Sequence, residues 1–177
     1  SLVMALCAAS ANIARNAIEW TSLIRSLFRT WSFTTDSLSS MTFNKVPDML
    51  IESIKGTLIE RMDIQITELT AERATATMPV AGNTQPMGLL HGGANVVLAE
   101  TLGSIAAQMH AGMGRAAVGI EVSATHHGSA REGRVTGVAT ALHLGRTTAS
   151  YEIVITNEQG KRLCTARLTC MLLDVAK

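Results

Sequence analysis

The chain is expected to fold as an α+β domain in which an antiparallel sheet wraps one buried helix. Three observations predict it. The stretch from His91 to about Ala111 is apolar nearly all round, as in a helix covered on most sides. Segments on both sides of it alternate apolar and polar residues, the period of strands with one buried face. The resulting order is helix, two strands, long helix, then three or four strands, a layout that such a sheet satisfies.

Pro47 suits a helix N-terminus. Leu50, Ile51, Ile54, Leu58 and Ile59 then repeat at helical spacing, predicting a short amphipathic helix to about Arg61. Asp63 to Leu69 and Arg73 to Val80 alternate, and the short Thr70-Ala71-Glu72 connection makes them a hairpin. Ala81 to Leu90 is a loop punctuated by Gly82-Asn83 and Pro86. Gly112-Met113-Gly114 ends the central helix. Strands are expected over Arg115 to His127, Arg134 to Leu144, Thr147 to Thr156 and Leu163 to Leu173. A turn at Asn157-Glu158-Gln159-Gly160 precedes the last.

The chain has 177 residues, enough for one domain with a real core. Its net charge of +1 implies no nucleic-acid partner and no membrane field. No stretch reads as a membrane span. With 47% hydrophobic and only 16% charged residues, some apolar surface is expected to be covered by another subunit. Cys164 and Cys170 fall six residues apart on one strand, on one face but roughly 20 Å from each other, too far to bridge. They read as buried reduced thiols of a cytoplasmic protein, and Cys7 is the third cysteine. Residues 1–40 differ from the rest: Arg15, Arg25 and Arg29 stand against only Glu19 and Asp36, beside Trp20 and Trp31. They read as a leader or artefact outside the fold, with Met41 as a candidate start and residues 41–177 as the domain. A transit peptide for organelle import is the weaker alternative.

Chemistry points to one place. Gln85-Pro86-Met87-Gly88-Leu89-Leu90-His91-Gly92-Gly93 sets a turn, a histidine and two glycines at the mouth of the long helix. Glu100 follows about two and a half turns in. Its helix side carries Gly93, Val96, Val97, Gly103, Ser104 and Ala107, all small or apolar. A carboxylate in such company is costly unless it is paired or used. A solvated surface glutamate is the bland alternative. Paired glycines alone would mean only a tight turn, and a lone histidine there is more often a cap.

The run Gln85 to Ser104 resembles the signature of hot-dog-fold acyl-CoA thioesterases. The subgroup is that of the phenylacetate-pathway, dihydroxynaphthoyl-CoA and enterobactin-proofreading enzymes. Val118-Gly119-Ile120-Glu121, Ser129 to Gly133 and Leu142-His143-Leu144-Gly145-Arg146 fit the same pattern, and the likeness spans roughly Met49 to Leu173. The resemblance implies hydrolysis of aromatic or medium acyl-CoA thioesters, or of acyl-carrier-protein thioesters. Glu100 would be the nucleophile or general base, and the Gly92 N–H the oxyanion donor. His91 and Gln85 would orient the carbonyl or the water. Ser104 would hydrogen-bond the carboxylate or the acyl group, or would simply pack closely. Coenzyme A is then part of the substrate, and neither a cofactor nor a metal is expected. Its phosphates call for basic residues, for which His127, Ser129, Arg131, Arg134 and Arg146 are the candidates. Relatives often carry a basic residue where this chain has Gly128.

The resemblance also implies a homotetramer, a dimer of dimers with sites at subunit interfaces, Glu100 of one subunit working beside loop residues of its partner. The residues alone place Glu100 within reach of a carbonyl polarised at the mouth of its own helix. Two other readings are weaker. A hot-dog hydratase would want a paired Asp and His, and a non-catalytic acyl-CoA-binding module would not need Glu100, His91 and Gln85 together. No Gly-x-Ser-x-Gly elbow is present.

Overall fold

A computed structural model describes residues 53–175. Cys7, the 1–40 leader and the start of the first expected helix lie outside the described residues. Eight elements follow: α1 (Leu58–Arg61), β1 (Gln65–Leu69), β2 (Arg73–Pro79), α2 (Gly92–Ala111), β3 (Arg115–His126), β4 (Arg134–Leu144), β5 (Thr148–Asn157) and β6 (Arg162–Asp174). One six-stranded sheet has the order β1-β2-β4-β5-β6-β3, every pair antiparallel. The helix α2 packs on one face of it.

Two expectations at the start need correction. The first helix does not run unbroken to Arg61. Gly56 adopts φ +72°, a left-handed conformation that interrupts it, and only the four residues of α1 resume. Nor does β1 begin at Asp63, whose φ of 49° turns the chain before Gln65.

Alternation decides which residues form the core. Ala74, Ala76 and Met78 of β2, Tyr151, Ile153 and Ile155 of β5, and Cys164, Ala166, Leu168, Cys170 and Leu172 of β6 all point at α2 and are buried. The helix answers with Ala94, Leu98, Ala99, Leu102, Gly103, Ala106 and Ala107. Small residues let it sit close. Gly103 lies directly over Leu168, and Gly137 of β4 lies under Leu98 and Leu102. Tyr151 spends its hydroxyl on the Ala71 carbonyl at 2.8 Å, so the largest buried side chain leaves no polar group unpaired. Burial holds the Cys164 thiol above its ordinary range and pushes Cys170 up to about 11. Both are free and buried, as expected.

β3 is an edge strand, and its outer hydrogen-bonding side has no neighbour among the described residues. Ile120 and Val122 on it are 54% and 39% exposed. Near its start, Gln108 of α2 reaches across: its Oε1 accepts from the Ala117 N–H and its Nε2 donates to the Arg115 carbonyl, both at 3.0 Å. These bonds tie the end of the helix to the edge strand.

Candidate active site

The helix mouth is built from backbone outward. His91 is the N-cap of α2, and its Nδ1 accepts from the Gly93 N–H at 2.8 Å. That bond makes Nδ1 the unprotonated nitrogen of a neutral ring and leaves Nε2–H as a donor. The Gly92 N–H, first in the helix, has no partner among the described residues. The preceding loop is pinned shut: the His91 N–H donates to the Asn83 carbonyl at 2.9 Å and the Gln85 N–H to the Leu89 carbonyl at 2.8 Å. Asn83 anchors that loop by donating to the carbonyls of Met62 (3.1 Å) and Pro79 (2.9 Å). Gln85 Oε1 accepts from the Met87 N–H at 2.7 Å, leaving the amide NH2 to donate elsewhere. Asn83 carries no site signal in the sequence beyond its turn, where an asparagine is a usual anchor.

The second loop comes to the same place. The Leu90 N–H donates to the Ala130 carbonyl at 2.8 Å, and Ala130 is buried. Ser129 and Arg131 flank that point, exposed, beside the mouth. His126 also belongs here. Its Nε2 stands where a Cβ on Gly92 would come within 2.9 Å, and Asn95 Nδ2 approaches its Nδ1 at 3.5 Å. Asn95 is 3% exposed, and its Oδ1 has no partner among the described residues. Of this pair, the sequence predicts His127 for substrate binding. Adjacent strand residues face opposite ways. His127 bonds Thr165 Oγ1 at 2.9 Å and lines a groove of about 630 Å³ on the sheet face away from α2, with Arg162, Arg167 and Glu152. The usable signal was parity: His126 pairs with Cys164, which points inward.

Glu100 is half-buried and faces β3. Its Oε1 lies against Gly119, and Ser104 Oγ donates to it at 3.4 Å. Directly across the ladder from Gly119 stands Cys170, which also lies near Ser104. Glu100 makes no ion pair among the described residues. A carboxylate held by one weak donor, in a cleft between a helix and an open sheet edge, keeps its lone pairs for something else.

Other expected site residues are placed apart from these. Arg134 Nη1 pairs with Asp63 Oδ2 at 2.8 Å, its Nη2 donates to the Asp63 carbonyl, and its Nε to Thr77 Oγ1. Its guanidinium therefore fastens the turn before β1 to β4. That hydrogen bond holds the Asp63 carboxyl below its ordinary 3.8. A depressed carboxylate stabilises the fold above its unfolded pKa and loses that contribution as pH falls through the folded value. Arg134→Ala is thus expected to melt slightly below wild type at pH 6, with the gap closing below about pH 4, as thermal unfolding across pH would show. Arg146 sits in the β4–β5 turn, which contacts the other end of α2 through His110 Nε2 and the Gly145 carbonyl at 2.9 Å. A 20-residue helix, about 30 Å long, separates it from Arg131 in one chain.

The same arithmetic corrects the single-helix reading of the site. From Gly92 to Glu100 the helix rises about 12 Å, so one thioester carbonyl does not reach both in one protomer, even with the side chain leaning toward the N-terminus. Among the described residues, no three His, Cys, Asp or Glu side chains cluster as a metal site, and no helix is long and apolar enough to cross a membrane.

Comparison with known proteins gives the family and agrees with the fold. The thioesterase superfamily model matches residues 87–164, from the helix-mouth loop through β6's start. The proofreading thioesterase EntH of Cronobacter turicensis is 51% identical over 115 residues, 64% of this chain and 84% of that one. A thioesterase from Haemophilus influenzae superposes with a TM-score of 0.71 at 34% identity, covering 77% of this chain and 98% of its own. Two solved variants of a Staphylococcus aureus thioesterase, at 30% identity and TM-scores of 0.62 and 0.61, cover 66% of this chain and 98% of theirs. One replaces a glutamate by alanine and the other a glutamine, fifteen positions apart in that protein. Sheet, helix and sequence thus agree, and the chain belongs to the thioesterase superfamily as a hot-dog-fold thioester hydrolase.

Proposed function

We propose that the chain hydrolyses aromatic or medium acyl-CoA thioesters at sites shared between two copies, with Glu100 from one and the helix mouth from the other. The carrying observation is Glu100, a carboxylate with no cation among the described residues, set in a cleft that opens on the edge strand β3. Gln85 and Glu100 are fifteen positions apart, the spacing of the two residues replaced in the Staphylococcus aureus variants, which supports giving both a role.

The register of β3 supports sharing. Gly119 lies at Glu100, and His126 lies at the helix mouth. Two β3 edges pairing antiparallel about a point between Val122 and Ser123 would set Gly119 of each copy opposite His126 of the other. The 12 Å gap within one chain then becomes a meeting across two. Exposed Ile120 and Val122 would be covered by the same contact. A dimer of dimers extends this reading.

At such a site the Gly92 N–H, the His91 Nε2–H and the Gln85 amide donate to the thioester oxygen. Glu100 then either takes a proton from water as the water attacks, or attacks itself to give a mixed anhydride that water opens. The C–S bond breaks in both cases, and the thiolate leaves with a proton. Ser104 holds the carboxylate. Ser129 and Arg131, beside the mouth, are placed for the phosphates of coenzyme A, whereas Arg134 is committed to Asp63. No cofactor enters.

The 51% identity to a proofreading thioesterase favours a second substrate reading, acyl groups on a carrier protein. Rates on matched benzoyl and octanoyl esters of coenzyme A and of a carrier protein separate the two. Sharing is tested by complementation. Glu100→Ala and Gly92→Pro, the latter deleting an N–H at a position where proline fits a helix, are each expected to be inactive alone. Refolded together they are expected to regain about a quarter of wild-type activity, one intact site in each mixed pair. No recovery would place both groups in one protomer.

A further inference from the structure

We infer that Gly119 is a positioning residue for Glu100: its missing side chain is the space that the carboxylate occupies. This rests on Glu100 being the catalytic carboxylate. The observations are geometric. A Cβ built on Gly119 overlaps Glu100 Oε1 and comes within 3.4 Å of its Cδ. Gly119 is not among the glycines with positive φ, so its backbone would accept any L-residue. The bulge between Gly119 and Glu121 therefore does not demand glycine, and what occupies the space does. Across the ladder, Cys170 fills the floor with a buried side chain that points the same way. From the helix, Ser104 closes a third side at 3.4 Å. Glycine, cysteine and serine form a seat with room for one carboxylate beside the edge strand.

The atom in conflict is the free end of a flexible side chain. A methyl at position 119 would therefore move the acid and leave the fold in place. Displacement of a reacting group by about an ångström costs on the order of 10²-fold in rate. Gly119→Ala is expected to lower kcat by about that factor with KM within about threefold and the melting temperature nearly unchanged. In the Gly119→Ala background, Glu100→Asp, whose shorter arm clears the methyl, is expected to cost less than it does alone.

The inference is overturned if Gly119→Ala keeps wild-type kcat, if its activity falls only in step with stability, or if the Gly119→Ala and Glu100→Asp effects add. A cycle read by unfolding alone serves should Gly119→Ala fold poorly. The methyl should cost less stability in a Glu100→Ala background than in wild type, and equal costs would refute contact between the two positions. Glu100→Ala measured in parallel separates the two ideas. If it retains turnover, the catalytic reading fails. If it is inactive while Gly119→Ala is normal, only the seat fails.

Discussion

Glu100→Ala is expected to lower kcat for thioester hydrolysis by about three orders of magnitude while leaving the folded protein intact. Removal of a general base or nucleophile commonly costs 10²–10⁴-fold or more. Nothing in the fold depends on this carboxylate: it makes no ion pair among the described residues, and its one hydrogen bond, from Ser104, is long. The core of α2 is held by Leu98, Ala99, Leu102 and Ala106 and not by Glu100. Thiol release from benzoyl-CoA, read beside a thermal melt, is the measurement. Turnover within tenfold of wild type would remove Glu100 from the mechanism. Single-turnover hydrolysis in heavy-oxygen water then divides the two roles. Label carried into Glu100 marks attack by the carboxylate, because direct attack by water leaves both Glu100 oxygens unlabelled.

The second large effect is on stability. Gly103→Val is expected to destabilise the domain by about 3 kcal/mol, the upper part of the usual range for overpacking. Gly103 is where α2 crosses β6. A Cβ there overlaps Leu168 Cδ2, and it also meets Leu168 Cβ at 3.2 Å and Cγ at 3.3 Å. The terminal methyl of Leu168 can rotate aside. Its Cβ is fixed to the strand, so the helix must lift. Valine adds branched bulk with one favoured rotamer in a helix, which removes the means of escape. Lifting α2 loosens Leu98, Leu102 and Ala106, all fully buried. Urea unfolding at matched protein concentration checks this, since association also adds to apparent stability. An unchanged midpoint would mean that the helix and sheet are less closely fitted than the contact at Leu168 indicates.

These two glycines differ in what fills the missing side chain. At Gly103 it is the body of a buried leucine, so substitution is expected to act on folding. At Gly119 it is the movable tip of Glu100, so substitution is expected to act on turnover.

Much of the architecture was legible in the residues. Alternation located β2 to β6 to within a residue or two, because one face of each strand meets α2 and the other does not. The all-round apolar run and the glycines after it marked α2. The helix before Arg61 was misread, because Leu58 and Ile59 continue the helical spacing across Gly56 while the backbone turns there. Of the site, His91 and Gly92 were legible because a helix N-terminus is a local event with local signals. Glu100 stood out because its helical neighbours are apolar.

The amino-acid order by itself determined the elements, the buried helix and the acid upon it, because periodicity and capping act between residues a few positions apart. Only the tertiary structure decided that His126 and not His127 stands at the helix mouth, that Arg134 is bound to Asp63, and that Arg146 lies at the far end of α2. It alone showed that Glu100 rests in the gap left by Gly119. Each of these joins positions distant in the chain, and strand pairing with its bulges sets which ones meet.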